Sequence, residues 1–172
     1  MELLENRIRK DAVVKPNDVL KINAFINHRL DPQLIMALAN EWKRLYEGAN
    51  ITKVLTIEAS GIALAVMTGY VLGVPAVFAK KSQSINLDPD VYSTKIWSYT
   101  HQRDYDVIVA KNFLTPDDHV LIIDDVLANG AALEGLIEIV RQSGATLEGV
   151  GIAVEKDFQP GGAKLRAQGV RI

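Results

Sequence analysis

Two adjacent carboxylates, Asp124 and Asp125, follow the apolar run Val120-Leu121-Ile122-Ile123. They precede a loop of small residues, Ala128-Asn129-Gly130-Ala131-Ala132. Small side chains leave backbone N–H groups open, and at the start of a helix such groups favour an anion. Ionised aspartates would repel a phosphate aimed at them, so they suit neighbouring hydroxyls or a magnesium ion. A phosphorylated sugar carries both features. The same residues would also serve as an ordinary turn with two solvated aspartates. Neither of the common glycine-rich nucleotide signatures is present.

The elements that must position this segment are legible from spacing. Leu34, Ile35, Leu38, Trp42, Leu45 and Tyr46 form one apolar stripe, which predicts a helix over Asp31 to Glu47. Asp31-Pro32 opens it with a cap residue and a first-turn proline. Strands are predicted at Ile51–Ile57, Val74–Phe78, His119–Asp125 and Leu147–Val154, with Asp106–Ala110 as one arm of a hairpin. Helices are predicted from Ser60-Gly61 to Leu72-Gly73 and over Gly130–Gln142. Val120 to Ile123 is continuously apolar, as expected of a strand covered on both faces. The alternation implies an α/β fold, a parallel sheet flanked by helices. Ligands in such sheets gather beyond the carboxyl ends of the strands. Three such ends are Glu58–Gly61, Asp124–Gly130 and Glu155–Phe158.

Composition narrows the chemistry. The 172 residues contain no cysteine, which excludes disulfides, thiolate nucleophiles and zinc–thiolate sites. The three histidines, His28, His101 and His119, form no HExxH pair. Lys plus Arg is 19 against 21 for Asp plus Glu, a balance that argues against wrapping nucleic acid. No apolar run is long enough for a membrane span, and MELLENRIRKD has no apolar signal core. A cytoplasmic protein with no nucleic-acid or membrane partner is expected. One domain over residues 1–172 is expected, since no repeat or linker interrupts the chain.

The segment Val120 to Ala132 resembles the phosphoribosyl-diphosphate motif of the type I phosphoribosyltransferases. The usual loop ends in Thr and Gly; Ala128-Asn129-Gly130-Ala131-Ala132 is instead similar to the branch of bacterial xanthine phosphoribosyltransferases. The likeness extends through Val19–Lys21, Phe25–Pro32, Thr56–Ala63 and Val154–Gly161. It implies the type I phosphoribosyltransferase fold, with an N-terminal hood over about residues 1–35 and a flexible loop. Its activity would be transfer of a phosphoribosyl group from phosphoribosyl diphosphate to a purine, with magnesium carried by the diphosphate. A homodimer is the implied assembly. Relatives within the enzyme class are hypoxanthine-guanine and adenine phosphoribosyltransferases; a transcription regulator of the same fold is the non-enzymatic alternative. A receiver domain, which also pairs aspartates with a distant lysine, would carry its acids on an early strand.

Residue by residue, the resemblance implies the following. Ala128, Asn129, Gly130, Ala131 and Ala132 bind the 5-phosphate through their amides. Asp124 and Asp125 sit by the ribose hydroxyls and favour positive charge on the ring. Ala59, Ser60 and Gly61, after Glu58, receive pyrophosphate, with Lys80 and Lys81 to neutralise it. Lys156 meets the 6-oxo group of the purine and Phe158 lies over the base. Leu20 and Asn27 belong to the hood, and Asn27 reads the 2-position. Ser82 to Phe113 closes over the reaction with Trp97-Ser98-Tyr99-Thr100 at its tip. Arg171-Ile172 falls inside what resembles a last strand that family members continue, so an uncovered sheet edge is expected there.

Overall fold

The structure is a computed structural model that describes residues 1–16, 19–81, 90–98 and 103–172. The chain begins with helix α1 (Glu2–Asp11), strands β1 (Val13–Lys15) and β2 (Val19–Lys21), and a π-helical turn at Asn23–Asn27. Helix α2 (Pro32–Leu45), strand β3 (Lys53–Ile57), helix α3 (Gly61–Leu72) and strand β4 (Ala76–Ala79) follow. Strands β5 (Val91–Ser98) and β6 (Arg103–Ala110) form an antiparallel hairpin. Strand β7 (His119–Leu127), helix α4 (Ala131–Ser143), strand β8 (Thr146–Glu155) and helix α5 (Gly161–Ala167) complete the chain.

Four strands form a parallel sheet in the order β4-β3-β7-β8. Val120, Leu121, Ile122 and Ile123 are all fully buried, which explains their unbroken apolar run. Side chains alternate across the sheet. Val120 and Ile122 pack with Leu133, Leu136 and Ile139 of α4 and with Ile96, Val107 and Val109 of the hairpin. Leu121 and Ile123 pack with Leu64 of α3, with Leu34, Leu38 and Trp42 of α2, and with Phe25 and Ile26 of the N-terminal segment. One strand therefore holds both halves of the core together.

Asp31 caps α2 as expected, accepting the N–H groups of Gln33 and Leu34 at 3.1 Å. It also pairs with Arg7 of α1 at 2.8 Å, which fastens α1 to the helix start. The helix ends two residues earlier than expected, and Leu45 is exposed rather than part of the apolar stripe. Tyr46 is buried instead. Its hydroxyl accepts the Val150 N–H of β8 at 2.9 Å.

The long stretch after β4 is more regular than a loop. β5 and β6 pair along their whole length, and Lys80 and Ile108 exchange backbone hydrogen bonds at 3.0 Å, joining the hairpin to the β4 edge. Tyr99 and Thr100 of the expected tip lie outside the described residues, as does Ser82. At the other edge, Arg171-Ile172 is not a strand; a single hydrogen bond runs from the Val150 N–H to the Arg171 carbonyl.

The amino ends of β3 and β7 are clamped by Asp118. Its carboxylate accepts from Lys53 Nζ at 2.8 Å, from the Thr115 N–H at 2.8 Å and from the Thr115 hydroxyl at 3.1 Å. Burial works against its charge, but these donors outweigh it and hold the carboxyl below its ordinary range. A depressed folded-state value means stability that is present above about pH 4 and lost as pH falls through the folded value. Asp118→Asn is expected to lose about 1–3 kcal/mol at pH 7, lowering the melting temperature by about 2–4 °C per kcal/mol. The gap from the parent protein should narrow below about pH 4. Thermal melts at the two pH values check this; equal melting temperatures at pH 7 would refute it.

Candidate functional site

The carboxyl ends of β3, β7 and β8 meet at one edge of the sheet. The two central acids, expected as the last residues of the strand His119–Asp125, lie within β7, which runs two residues further. β7 continues to Leu127 because its pairing with β8 runs on through Val126–Val154 and Leu127–Glu155. The alternation of Val120 to Ile123 does not run on past the acids: Val126 packs with Leu121 and Ile123, and Leu127 with Val120 and Ile122. Asp124 is 5% exposed and Asp125 8%. Each carboxylate accepts a main-chain N–H just ahead of it, Asp125 N to Asp124 Oδ1 and Val126 N to Asp125 Oδ1, both at 2.9 Å.

Burial first, and the charge of Asp125 second, push the Asp124 carboxyl up to about 8; Lys81 offsets part of the rise. The half-buried Tyr105 on β6 faces the same group, and its hydroxyl is raised by burial and then by the Asp124 charge. Lys81 also places its ammonium 5.6 Å from the Tyr105 ring centroid. Tyr105 is a neighbour the sequence did not single out, because nothing in local spacing brings β6 to β7.

After Leu127 the chain turns through Ala128 and Asn129 to Gly130, which caps α4 with φ +89°, a conformation that favours glycine. The small-residue loop therefore ends on a helix start as expected. The Asn129 side chain accepts the Ala131 N–H at 3.0 Å, so one amide of the first turn is already taken. Ala132 belongs to that first turn, where N–H groups lack intrahelical partners.

The junction after β3 is equally tight. The Glu58–Ala59 peptide is cis. Glu58 accepts the Lys81 N–H at 2.5 Å, tying this turn to the end of β4. Ser60 precedes α3 without a side-chain capping bond. Gly61 leaves room for two neighbours: a Cβ there would overlap the Thr56 hydroxyl and stand 3.1 Å from Asp124 Oδ1. The Thr56 hydroxyl is buried and has no hydrogen-bond partner among the described residues. Of the two lysines, Lys81 approaches Asp124 and Tyr105. Lys80 instead lines a groove with Val77, Phe78, Ile108 and Phe113.

Beyond β8, the Lys156 N–H donates to the Leu127 carbonyl at 2.9 Å, and Phe158 is 67% exposed. On the hood side, Leu20 packs against the cluster shared by Leu121, Ile123, Val126 and Val154. Asn27, the last residue of the π-helical turn, is exposed. Among the described residues no group of three or more His, Asp or Glu side chains could cage a metal ion.

Burial of Asp124 carries a stability signature. Its proton is held in the folded chain over a pH range in which an unfolded aspartate has lost it. Stability therefore falls as pH rises from about 4 toward about 8. Asp124→Asn cannot ionise and escapes this penalty. It is expected to be more stable than the parent at pH 8 by more than about 1.4 kcal/mol, the equivalent of one pKa unit, with the gap closing toward pH 4. Denaturant melts across that range check it, and a variant less stable at pH 8 would contradict the burial argument.

Comparison with known proteins places this geometry. Residues 27–157 match the phosphoribosyl transferase domain family. Xanthine phosphoribosyltransferase of Lachnoclostridium phytofermentans is 55% identical over 172 residues, covering 100% of this chain and 89% of that protein. The enzyme of the same name from Latilactobacillus sakei is 51% identical, covering 100% and 88%. Among solved structures, adenine phosphoribosyltransferase of Thermoanaerobacter pseudethanolicus superposes with a TM-score of 0.79 at 20% identity, covering 95% of this chain and 92% of that one. That of Saccharomyces cerevisiae gives 0.78 at 22% identity, covering 96% of each. At such identity these structures speak for the fold, and they share it across nearly the whole chain. The fold and the full-length similarity agree, and the chain belongs to the phosphoribosyltransferase family.

Proposed function

We propose that the chain transfers the phosphoribosyl group of 5-phospho-α-D-ribose 1-diphosphate to xanthine, giving xanthosine 5′-monophosphate and pyrophosphate. The observation that carries this reading is the junction of β7 and α4, where two buried acids stand next to a glycine-capped helix start. The full-length similarity to enzymes named xanthine phosphoribosyltransferase supplies the base.

The 5-phosphate sits on the amides of Ala128 to Ala132, where the α4 dipole favours negative charge. Asp124 and Asp125 face the ribose hydroxyls. As the bond from the ring to pyrophosphate breaks, positive charge grows on the sugar, and fixed carboxylates stabilise it without reorganising. Burial and the charge of Asp125 raise the Asp124 carboxyl, and growing positive charge on the sugar favours its ionised form, so it serves as the second carboxylate as the bond breaks. Magnesium enters with the diphosphate as part of the substrate and neutralises the leaving group. Ala59, Ser60 and Gly61 receive that group, with Lys81 beside them; Lys80 is turned to a different groove and has the weaker claim.

Lys156 donates to the 6-oxo group of the purine, and adenine offers a donor there instead of an acceptor. Phe158 covers the base. Leu20 closes the hood and Asn27 reads the 2-position. We place the protein in the cytoplasm as a homodimer of one catalytic unit over residues 1–172. No helix among the described residues is long and apolar enough to cross a membrane, and exposed Val66, Tyr70, Phe78 and Phe113 offer apolar surface to a second copy.

Steady-state rates with xanthine, guanine, hypoxanthine and adenine test the reading. Xanthine should give the highest kcat/KM and adenine no turnover. Adenine turnover equal to that of xanthine would overturn the role given to Lys156. Asp125→Asn should lose about 1.5–3 kcal/mol of charge-assisted interaction, or roughly 10- to 150-fold in kcat/KM, with the folded state retained. Near-normal kinetics in that folded variant would remove Asp125 from the mechanism.

A further inference from the structure

The segment after β8 touches the phosphate loop through its backbone at three points. The Lys156 N–H donates to the Leu127 carbonyl at 2.9 Å, and the Gly161 N–H donates to the Ala128 carbonyl at 3.2 Å. Between them, the bare Cα of Gly161 lies against the peptide that joins Asn129 to Gly130. A Cβ on Gly161 would stand 2.6 Å from Asn129 C and 2.6 Å from Gly130 N, and closer still to the Ala128 carbonyl oxygen. All three atoms are main chain, so no flexible side chain can swing aside. The fit is reciprocal, since a Cβ on Gly130 would stand 3.1 Å from Gly161 Cα.

Gly161 has no positive φ, so its backbone would accept another residue. Space alone demands glycine. The neighbouring Gly162 differs: a side chain there would meet the tips of Glu155 and Arg166, which can move. The wedge beneath the loop is itself fixed. Arg166 grips Glu155 with two hydrogen bonds of 2.6 Å, Lys164 reaches Glu134 on α4 at 2.5 Å, and Leu165 is fully buried.

We infer that Gly161 is a positioning residue for the phosphoribosyl-diphosphate site: its absent side chain lets α5 set where the amides of Ala128 to Gly130 stand. The inference rests on the proposed function. Lys156 and Phe158 lie on the same short strap, so the surface offered to the purine and the loop offered to the phosphate share one support.

The test compares Gly161→Ala with Gly69→Ala. A Cβ on Gly69, in the last turns of α3, would also press a main-chain atom, the Val74 carbonyl oxygen at 2.7 Å, just before the amino end of β4 and so at the opposite end of the strands from the loop. In Gly161→Ala the KM for phosphoribosyl diphosphate should rise about tenfold or more, while the KM for xanthine at saturating donor changes less than about threefold. Gly69→Ala should lower the melting temperature and leave both KM values near those of the parent. An unchanged donor KM in Gly161→Ala would overturn the inference, as would an equal rise in Gly69→Ala. If Gly161→Ala does not fold, Pro160→Gly carries the test by slackening the strap without adding atoms. Its donor KM should rise about threefold or more, and no rise would overturn the inference. Absence of transfer by the parent protein would instead defeat the proposed function.

Discussion

A carboxyl group placed inside a strand that is covered on both faces is the constraint around which this protein is arranged. Asp124 sits one step beyond the fully buried Ile123, where charge is strongly disfavoured. The fold tolerates it because the neighbouring main chain supplies a donor and because the group can keep its proton. Everything near it is small or accommodating: Gly61 gives up its side chain, Thr56 leaves its hydroxyl unpartnered, and Lys81 provides a distant positive charge. Such an arrangement is poor for stability. On the proposed function, positive charge on the sugar ring would offset the cost of ionising this buried carboxyl.

The parallel sheet makes the arrangement possible. β7 contributes to both halves of the core, so the strand that carries both acids is held from the α4 and hairpin side and from the α2 and α3 side. The amino ends of the same strands are held by the opposite device. There Asp118 is charged and surrounded by donors, which outweigh the cost of its burial and hold the ends of β3 and β7. Asp118, just before β7, thus gathers donors from Lys53 and Thr115, whereas Asp124 and Asp125 each accept the N–H of the next residue.

The central sheet, its order of helices and the loop before α4 were legible in the sequence because continuous apolar runs and small-residue turns are local signals. The cap at Asp31-Pro32 was legible for the same reason. Other features depend on partners distant in sequence. Helix α1 offers only the short apolar pair Leu4 and Ile8 to the core, and the contact of Arg7 with Asp31 ties it to the start of α2. Helix α5 starts with two glycines after a proline, which local propensity reads as a turn; its position comes from the Glu155–Arg166 pair and from Gly161 on the loop. The acids looked like the end of a strand because charge usually ends one, whereas pairing with β8 carries β7 past them. Lys80 and Lys81 were indistinguishable as a pair, and only the backbone exchange between Lys80 and Ile108 separates their faces.

The support beneath the phosphate loop also bears on how two substrates can be handled by one edge of one sheet. Leu127 accepts from Lys156 and Ala128 accepts from Gly161, so the loop and the strap after β8 are hydrogen-bonded as consecutive rungs beyond the formal end of the sheet. A displacement of either is shared with the other. If ordering of the strap favours the loop geometry that binds phosphate, the reverse must hold by the same free energy. The hood stands on the other cluster, with α2 and α3, against which Val126, Ala153 and Val154 also pack. On the proposed function, the purine would be held between a wall tied to the phosphate loop and a hood that stands on the other cluster, so Leu20 and Asn27 would read the base from elements other than those that grip the sugar.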